Sequence, residues 1–211
     1  MITRILATTF FCLVMSVTTH AQGVKQLPRP EWNNSSDGSI TLVDALTFRR
    51  SEREFATTPL TDGELSKILW AACGLNRPAE GRITAPSAIN AQDITVFVCR
   101  EDGAWRYDAQ NHQLVNVTGK DLRKAVAGRQ DFAAKAPVSL VLVSDISKVR
   151  NLSELGAMDA GYVSENICLI CTAMNLATVP RATMDSDVLK KELGLSASQL
   201  PMLNHPIGHR P

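Results

Sequence analysis

"LGAMDAGYVSENICLICTAMNLA", residues 155–177, carries apolar residues on nearly every face of a helical wheel. A surface helix shows one apolar stripe, whereas a helix that is apolar nearly all round is buried. The segment therefore predicts a long central helix, the longest in the chain. Two cysteines, Cys168 and Cys171, fall inside it as a C-x-x-C. A redox pair of that spacing usually opens a helix, where the dipole lowers a thiol pKa. These two sit well inside the apolar pattern and are expected to be buried structural thiols.

The segments around the helix alternate in type. "TLVDALTFRR" opens with Thr41 and has Asp44 three residues on, and "TDGELSKILWAACG" repeats the pattern with Thr61 and Glu64. Both are capping-box starts followed by helical apolar spacing. "ITVFVC" (94–99) and "VSLVLV" (138–143) are buried strands, and "AWRYD" and "QLVNV" alternate as a hairpin around "AQNH". "TGKDLRKAVAG" is a short amphipathic helix, "SDVLKKELGL" a further helix closed by Gly194, and "MLNHPIGHRP" a last strand. Helices and strands in this irregular order fit an α+β layered sandwich better than a regular βαβ array.

The N-terminal stretch differs. Arg4 precedes an apolar run from Ile5 to Val17 and then Thr-His-Ala, the layout of a secretory signal peptide over residues 1–21. The run is short for a membrane span of ~20 residues. Phe10 and Phe11 stand before Cys12 where a lipoprotein would need small residues. An exported protein, periplasmic or secreted, is expected, with no membrane span once the signal is cleaved. Residues 22–37, with Pro28, Pro30 and "NNSSDG", read as a flexible leader, and 38–211 as the folded domain. Of the 211 residues, 45% are hydrophobic and 20% charged, as in an ordinary globular core. Residues 1–21 hold Arg4 and no acid, so basic and acidic residues beyond them stand at 21 each. A nucleic-acid surface would need a basic excess. Four cysteines remain after Cys12, an even number that permits disulfides without requiring them. His112 and His205 make no metal-ligand spacing with Cys or acids, and no Ser, His and Asp arrangement suggests a catalytic triad.

"RRSER", residues 49–53, concentrates three arginines at a helix C-terminus. The macrodipole is negative there, so the backbone offers an anion nothing. Guanidinium forks meet phosphate oxygens in pairs, and Ser51 adds a hydroxyl donor. The ordinary alternative is a solvated helix end with salt bridges to Glu52 or Glu54.

"RRSER-F", followed by "PLTDGELSKILWAACG" and "RITAPSAINAQDITVFV", resembles the FMN-dependent nitroreductase family. "GAMDAGYVSENICLICTAMNLAT" is similar to that family's central helix. "VCREDGAWRYDAQNHQLVNVTGKDLR" also resembles its azoline-forming dehydrogenase branch. The resemblance runs from about Leu42 to the end of the chain. It implies a three-layer α/β/α sandwich with a central mixed sheet and a long central helix, and a homodimer with two FMN sites at the subunit interface. Arg49, Arg50, Ser51 and Arg53 match the phosphate- and ribityl-binding motif. Pro86, Ser87, Ala88 and Asn90 match a "P-S-x-x-N" loop that the partner subunit lays against the flavin. Their chemistry suits such a loop, since Pro86 fixes a turn, Ser87 and Ala88 are small enough for a flat ring to approach, and the Asn90 amide both donates and accepts. "PRATMD" (180–185) falls where backbone N–H groups near Ala182 and Thr183 would meet the reactive edge of the ring. Many relatives have an acidic residue and a glycine there, which bears on how NAD(P)H, the family's common electron donor, would be recognised. Relatives often continue past the last strand with basic residues that reach the phosphate; Arg210 is the matching charge here.

The implied activity is an FMN-dependent oxidoreductase that passes hydride from a donor to nitroaromatics, quinones or similar flat electron-poor acceptors by a ping-pong route. No protein nucleophile is needed, because the flavin carries the chemistry. An alternative is a dehydrogenase of the azoline type. That branch commonly uses a Lys-Tyr pair, and neither Tyr107 nor Tyr162 has a lysine close by in sequence. A second alternative is a non-catalytic flavin-binding relative.

Overall fold

The computed structural model describes residues 23–32 and 40–211. The strands are β1 (Val24–Gln26), β2 (Leu75–Arg77), β3 (Arg82–Ile83), β4 (Ile94–Arg100), β5 (Gly103–Asp108), β6 (Gln113–Thr118), β7 (Val138–Asp145), β8 (Leu176–Thr178) and β9 (Gln199–His209). The helices are α1 (Leu42–Phe48), α2 (Asp62–Cys73), α3 (Arg123–Ala127), α4 (Ser153–Ala173) and α5 (Ser186–Glu192).

Both capping boxes form as expected. Thr41 Oγ1 accepts from the Asp44 N–H while Asp44 accepts from the Thr41 N–H, each at 3.1 Å. Thr61 and Glu64 exchange the same pair of bonds. Gly194 takes the left-handed conformation (φ 65°) that closes α5.

Seven strands form one sheet in the order β1-β6-β5-β4-β7-β9-β8. Residues along β4 and β7 point alternately to its two faces. Val96, Val98, Leu140 and Leu142 join the core with α2 and α4. Phe97, Cys99, Val141 and Val143 join a second core with Val126 of α3 and Leu189 of α5. Both faces are therefore covered by helices, which makes "ITVFVC" and "VSLVLV" continuous apolar runs and gives the expected three-layer sandwich.

The expectation of a mixed sheet is corrected, since every pairing in it is antiparallel. Hairpins join β4, β5 and β6 and impose that sense. β7 and β8 do run parallel to each other, but β9 inserts between them and opposes both.

The expected flexible leader is corrected too. Val24–Gln26 pairs with Val115–Gln113 of β6 at the sheet edge, and Leu27 is buried in the core. Lys25 Nζ pairs with Asp62 Oδ1 at 2.6 Å, and the Trp32 ring packs on Trp70 with centroids 5.5 Å apart. Pro28 and Pro30 end the strand because proline cannot extend the ladder. The rest of that leader, and the proposed signal peptide up to Ala21, lie outside the described residues.

α4 packs its Val163, Ile167 and Cys171 into the core at helical spacing. Its opposite face does not meet the expectation of burial all round, because Met158 is 59% and Tyr162 50% exposed. Beside it, Leu42, Val43, Leu46 and Phe48 of α1 are also exposed. Within one chain the long helix is covered on one side only.

Candidate functional site

α1 stops at Phe48 and Arg49 leaves the helix with ψ 124°. The following residues run as a strap across the ends of β8 and β9. The Glu52 N–H donates to Thr178 O, and the Ala56 N–H to His209 O, each at 2.9 Å. This strap brings Arg50, Ser51 and Arg53 together with Arg210 around a cavity of about 540 Å³. Glu52 organises the arginines, since its Oε1 accepts from Arg50 Nε and from Arg210 Nη2. Arg210 Nη1 also donates to Asn175 Oδ1 (2.8 Å), just beyond the end of α4. Three guanidinium groups line the cavity together with the carboxylates of Glu52 and Glu54 and with Pro211. Among the described residues Arg53 makes no ion pair, and the buried Arg210 Nε has no hydrogen-bond partner. Arg49 is half-buried; its charge acts on Cys168 of α4, and it does not line the cavity.

The Pro86–Asn90 loop lies elsewhere. Ser87 Oγ accepts from the Gln92 N–H (2.9 Å), and Gln92 Nε2 donates to Gly81 O (2.8 Å). Ile89, Asn90 and Gln92 all adopt positive φ, at 48°, 56° and 46°. For a β-branched residue such as Ile89 this conformation is a genuine outlier. The loop is held by α4: the Ala88 N–H donates to both oxygens of Asp159, at 2.9 and 2.8 Å. Asp159 lies near the start of α4 and Asn175 just past its end. The intervening turns separate the loop from the arginine cavity by roughly 20 Å along the helix axis. One chain does not unite them.

Ala182 and Thr183 line a further cavity of about 790 Å³ with Lys124, Gly128 and Arg129. Their N–H groups donate to nothing among the described residues. They follow Thr178, which the arginine strap touches, by four or five residues of chain, about 13–16 Å if extended. Buried Arg181 fixes this stretch. Its Nε donates to Gln130 Oε1 (2.7 Å), Nη1 to Asn204 Oδ1 (2.7 Å) and Nη2 to Ala127 O (2.7 Å), while the guanidinium stacks on Phe132. Burial lowers its pKa from the usual range. Asn204 Nδ2 closes the arrangement by donating to Thr183 O (3.0 Å).

Sequence reasoning named Arg50, Ser51, Arg53 and Arg210, which meet, and Glu52 as a salt-bridge partner; it passed over Asn175, Asp159 and Arg181, which position them or their neighbours. A charge within an apolar helix was the available sign for Asp159. The four described cysteines are free and buried. Desolvation pushes Cys73 and Cys99 up to about 12 and Cys168 to about 11, so the C-x-x-C is inert. Among the described residues no group of His, Cys, Asp and Glu is placed to hold a metal.

The nitroreductase family profile matches residues 46–209. The chain is a member of the nitroreductase family. A protein of Methanocaldococcus jannaschii that bears the nitroreductase name is 30% identical over 188 residues, covering 81% of this chain and 92% of that one. An FMN reductase [NAD(P)H] of Bacillus subtilis is 24% identical over 80% of this chain and 65% of its own. A crystal structure from Ralstonia eutropha JMP134, also named as a nitroreductase, superposes with a TM-score of 0.81 at 34% identity. It covers 89% of this chain and 90% of that chain. As a nitroreductase-family protein, the chain is an FMN-dependent oxidoreductase.

The residues present fit that cofactor. The arginine cavity offers an unpaired guanidinium and an unsatisfied buried N–H, both suited to a phosphate monoester. The free N–H groups of Ala182 and Thr183 suit the acceptor edge of a flat ring.

Proposed function

We propose that two copies of this nitroreductase-family chain assemble into a homodimer, each carrying one FMN between its own arginine strap and the partner's Pro86–Asn90 loop. The observation that carries this reading is the separation of strap and loop along α4, together with the exposed apolar face of α1 and α4. Ala157 and Gly161 on that face are small, so a second α4 laid antiparallel against it would bring each loop toward the opposite strap.

In this arrangement Arg50, Arg53 and Arg210 hold the phosphate, with Arg49 and Ser51 nearby. Ala182 and Thr183 orient the ring through their N–H groups, and Pro86, Ser87, Ala88 and Asn90 cover it. Bound FMN supplies hydride acceptance and donation. The protein binds, orients and shields it from water, so no side chain acts as a nucleophile. Flat electron-poor acceptors such as nitroaromatics and quinones match the shallow slot this leaves, with NAD(P)H as electron donor. The signal-peptide pattern of residues 1–21 supports export to the periplasm or beyond.

The test is the purified protein itself. Its visible spectrum should show a flavin released as FMN, its sedimentation mass should be that of two chains, and it should oxidise NADH or NADPH with a quinone or nitroaromatic. Leu46→Glu on the exposed face should give monomers that lose FMN. A colourless monomer indifferent to added FMN would remove the proposal. Turnover confined to an artificial oxidant would instead favour the dehydrogenase direction. Export is tested separately, by whether full-length chain expressed in a Gram-negative host is recovered outside the cytoplasm lacking residues 1–21.

A further inference from the structure

Beneath the Pro86–Asn90 loop lies a pair of buried carboxyl groups that binding of a cofactor phosphate or ring does not itself require. Asp159 of α4 is 2% exposed, and Asp93, at the entry to β4, is fully buried. Ser144 brings them together, since its Oγ bonds Asp93 and stands against Gly156, one turn of α4 before Asp159. Asp159 accepts the Ala88 N–H through both oxygens. Asp93 Oδ2 accepts from Ser144 Oγ of β7, while its buried Oδ1 has no hydrogen-bond partner.

Two buried carboxyl groups held close together disfavour a charge on both. Among the described residues no Lys or Arg pairs with either group. Lys148 Nζ donates instead to the Gln92 carbonyl at 3.4 Å. The facing groups are thus Ser144 from β7, Ala88 from the loop, and each carboxyl for the other. Gly156 lets α4 come this close, because a Cβ there would collide with Ser144 Oγ.

The pair grips the loop at both ends: Asp159 holds Ala88, and Asp93 anchors the chain immediately after Gln92. Between those points lie three residues at positive φ, including the 63% exposed Ile89. Such strain persists only where surrounding structure over-determines it, and it gathers at ligand clamps.

We propose that Asp159 carries a proton beside Asp93 and that the two act as positioning residues holding the Ser87–Gln92 loop in its strained, flavin-ready form. This rests on the reading of that loop as a wall of the FMN site. Ionisation of Asp159 in this buried place loosens the grip. The loop, and with it FMN affinity, is therefore tied to the protonation of a pair sealed from solvent.

The experiment compares wild type with Asp159→Asn, Asp159→Ala and Asp93→Asn by three measurements. Asparagine imitates the protonated acid, since it is uncharged and its carbonyl accepts from Ala88. In flavin-free protein at pH 5, infrared difference spectra should show the carbonyl band of a protonated buried carboxyl in wild type and lose it in Asp159→Asn. Hydrogen exchange at Ala88 should quicken at least tenfold in Asp159→Ala and stay near wild type in Asp159→Asn. FMN should bind wild type several-fold more weakly at pH 8 than at pH 5, bind Asp159→Asn equally at both, and bind Asp159→Ala at least tenfold more weakly. No carbonyl band together with wild-type exchange in Asp159→Ala overturns the proposal, as does a wild-type pH profile in Asp159→Asn. If wild type ignores FMN altogether, the cofactor-site reading fails while infrared and exchange still decide the pair. If Asp159→Ala does not fold, Asp159→Asn and Asp93→Asn decide it.

Discussion

Glu52 and Arg210, both lining the arginine cavity, are joined at 2.9 Å, and the same Glu52 oxygen holds Arg50 at 2.9 Å. One carboxylate thus fixes two of the three cavity arginines and leaves Arg53 free to meet a ligand. Hydrogen bonds to charged groups contribute about 1.5–3 kcal/mol each. Arg53→Ala should therefore weaken FMN binding about 10- to 100-fold in a fluorescence titration. Riboflavin, which lacks the phosphate, should bind wild type and variant alike. Equal losses for both ligands would place Arg53 away from the phosphate.

Arg181 is the most heavily bonded buried charge in the described chain, with side-chain and carbonyl partners from α3, Gln130 and Asn204. Removing one partner of such a network strands the others, and about 3–5 kcal/mol is the usual scale. Arg181→Ala should lower the denaturant midpoint by that order. Arg181→Lys should restore little of it, because an ammonium cannot reproduce the planar fork. Full rescue by lysine would show that charge alone matters.

Asp159 has its pKa raised from 3.8 to about 6, chiefly by desolvation and then by Asp93. A carboxyl whose pKa is raised on folding stabilises the fold below its unfolded value, and that stabilisation is lost as pH climbs through the folded value. Between pH 4 and 6 wild type should lose up to about 3 kcal/mol relative to Asp159→Asn, which has no proton there to release. Urea unfolding of both proteins at pH 4, 5, 6 and 7 gives the difference directly. A constant difference would mean that Asp159 does not titrate in this window.

His205 has the opposite sign. It is fully buried between Ser164 Oγ (2.8 Å) and Thr178 Oγ1 (3.3 Å), and desolvation lowers its pKa from 6.5 to about 3. A buried neutral imidazole stabilises the fold above pH 6.5, and the contribution is lost as pH falls toward 3, on the order of 4 kcal/mol in full. From pH 6 to 4 the His205 and Asp159 contributions oppose one another. Asp159→Asn should therefore be clearly more acid-labile than wild type over that range. A stability of Asp159→Asn that stays flat from pH 6 to 4 would count against the buried neutral histidine.

The parts legible in the sequence were those specified by many neighbouring residues. Six-residue apolar runs announced β4 and β7, and Thr41 and Thr61 announced their helices through side chains three residues on. β1 was hidden because three residues, Val-Lys-Gln, are too few to show a pattern and become a strand only through a ladder with β6, some ninety residues later. The sense of the sheet was hidden for a related reason: nothing local to β9 says that it slots between β7 and β8. "RRSER" was legible as an anion site because guanidinium chemistry is written in residue type. The role of Asp159 was not, because it depends on where Asp93 and Ser144 arrive after folding.

The place of β9 also bears on how the protein is made. Of the described elements it leaves the ribosome last, yet it fills an interior position and supplies β8 with its ladder. Until residues 199–209 emerge, a nascent chain holds β7 with one open edge and β8 with no partner. An open edge is a template for pairing with another chain, so the sheet is completed only once residues 199–209 have emerged. Chains stalled or clipped before Gln199 should aggregate rather than accumulate as a smaller folded form.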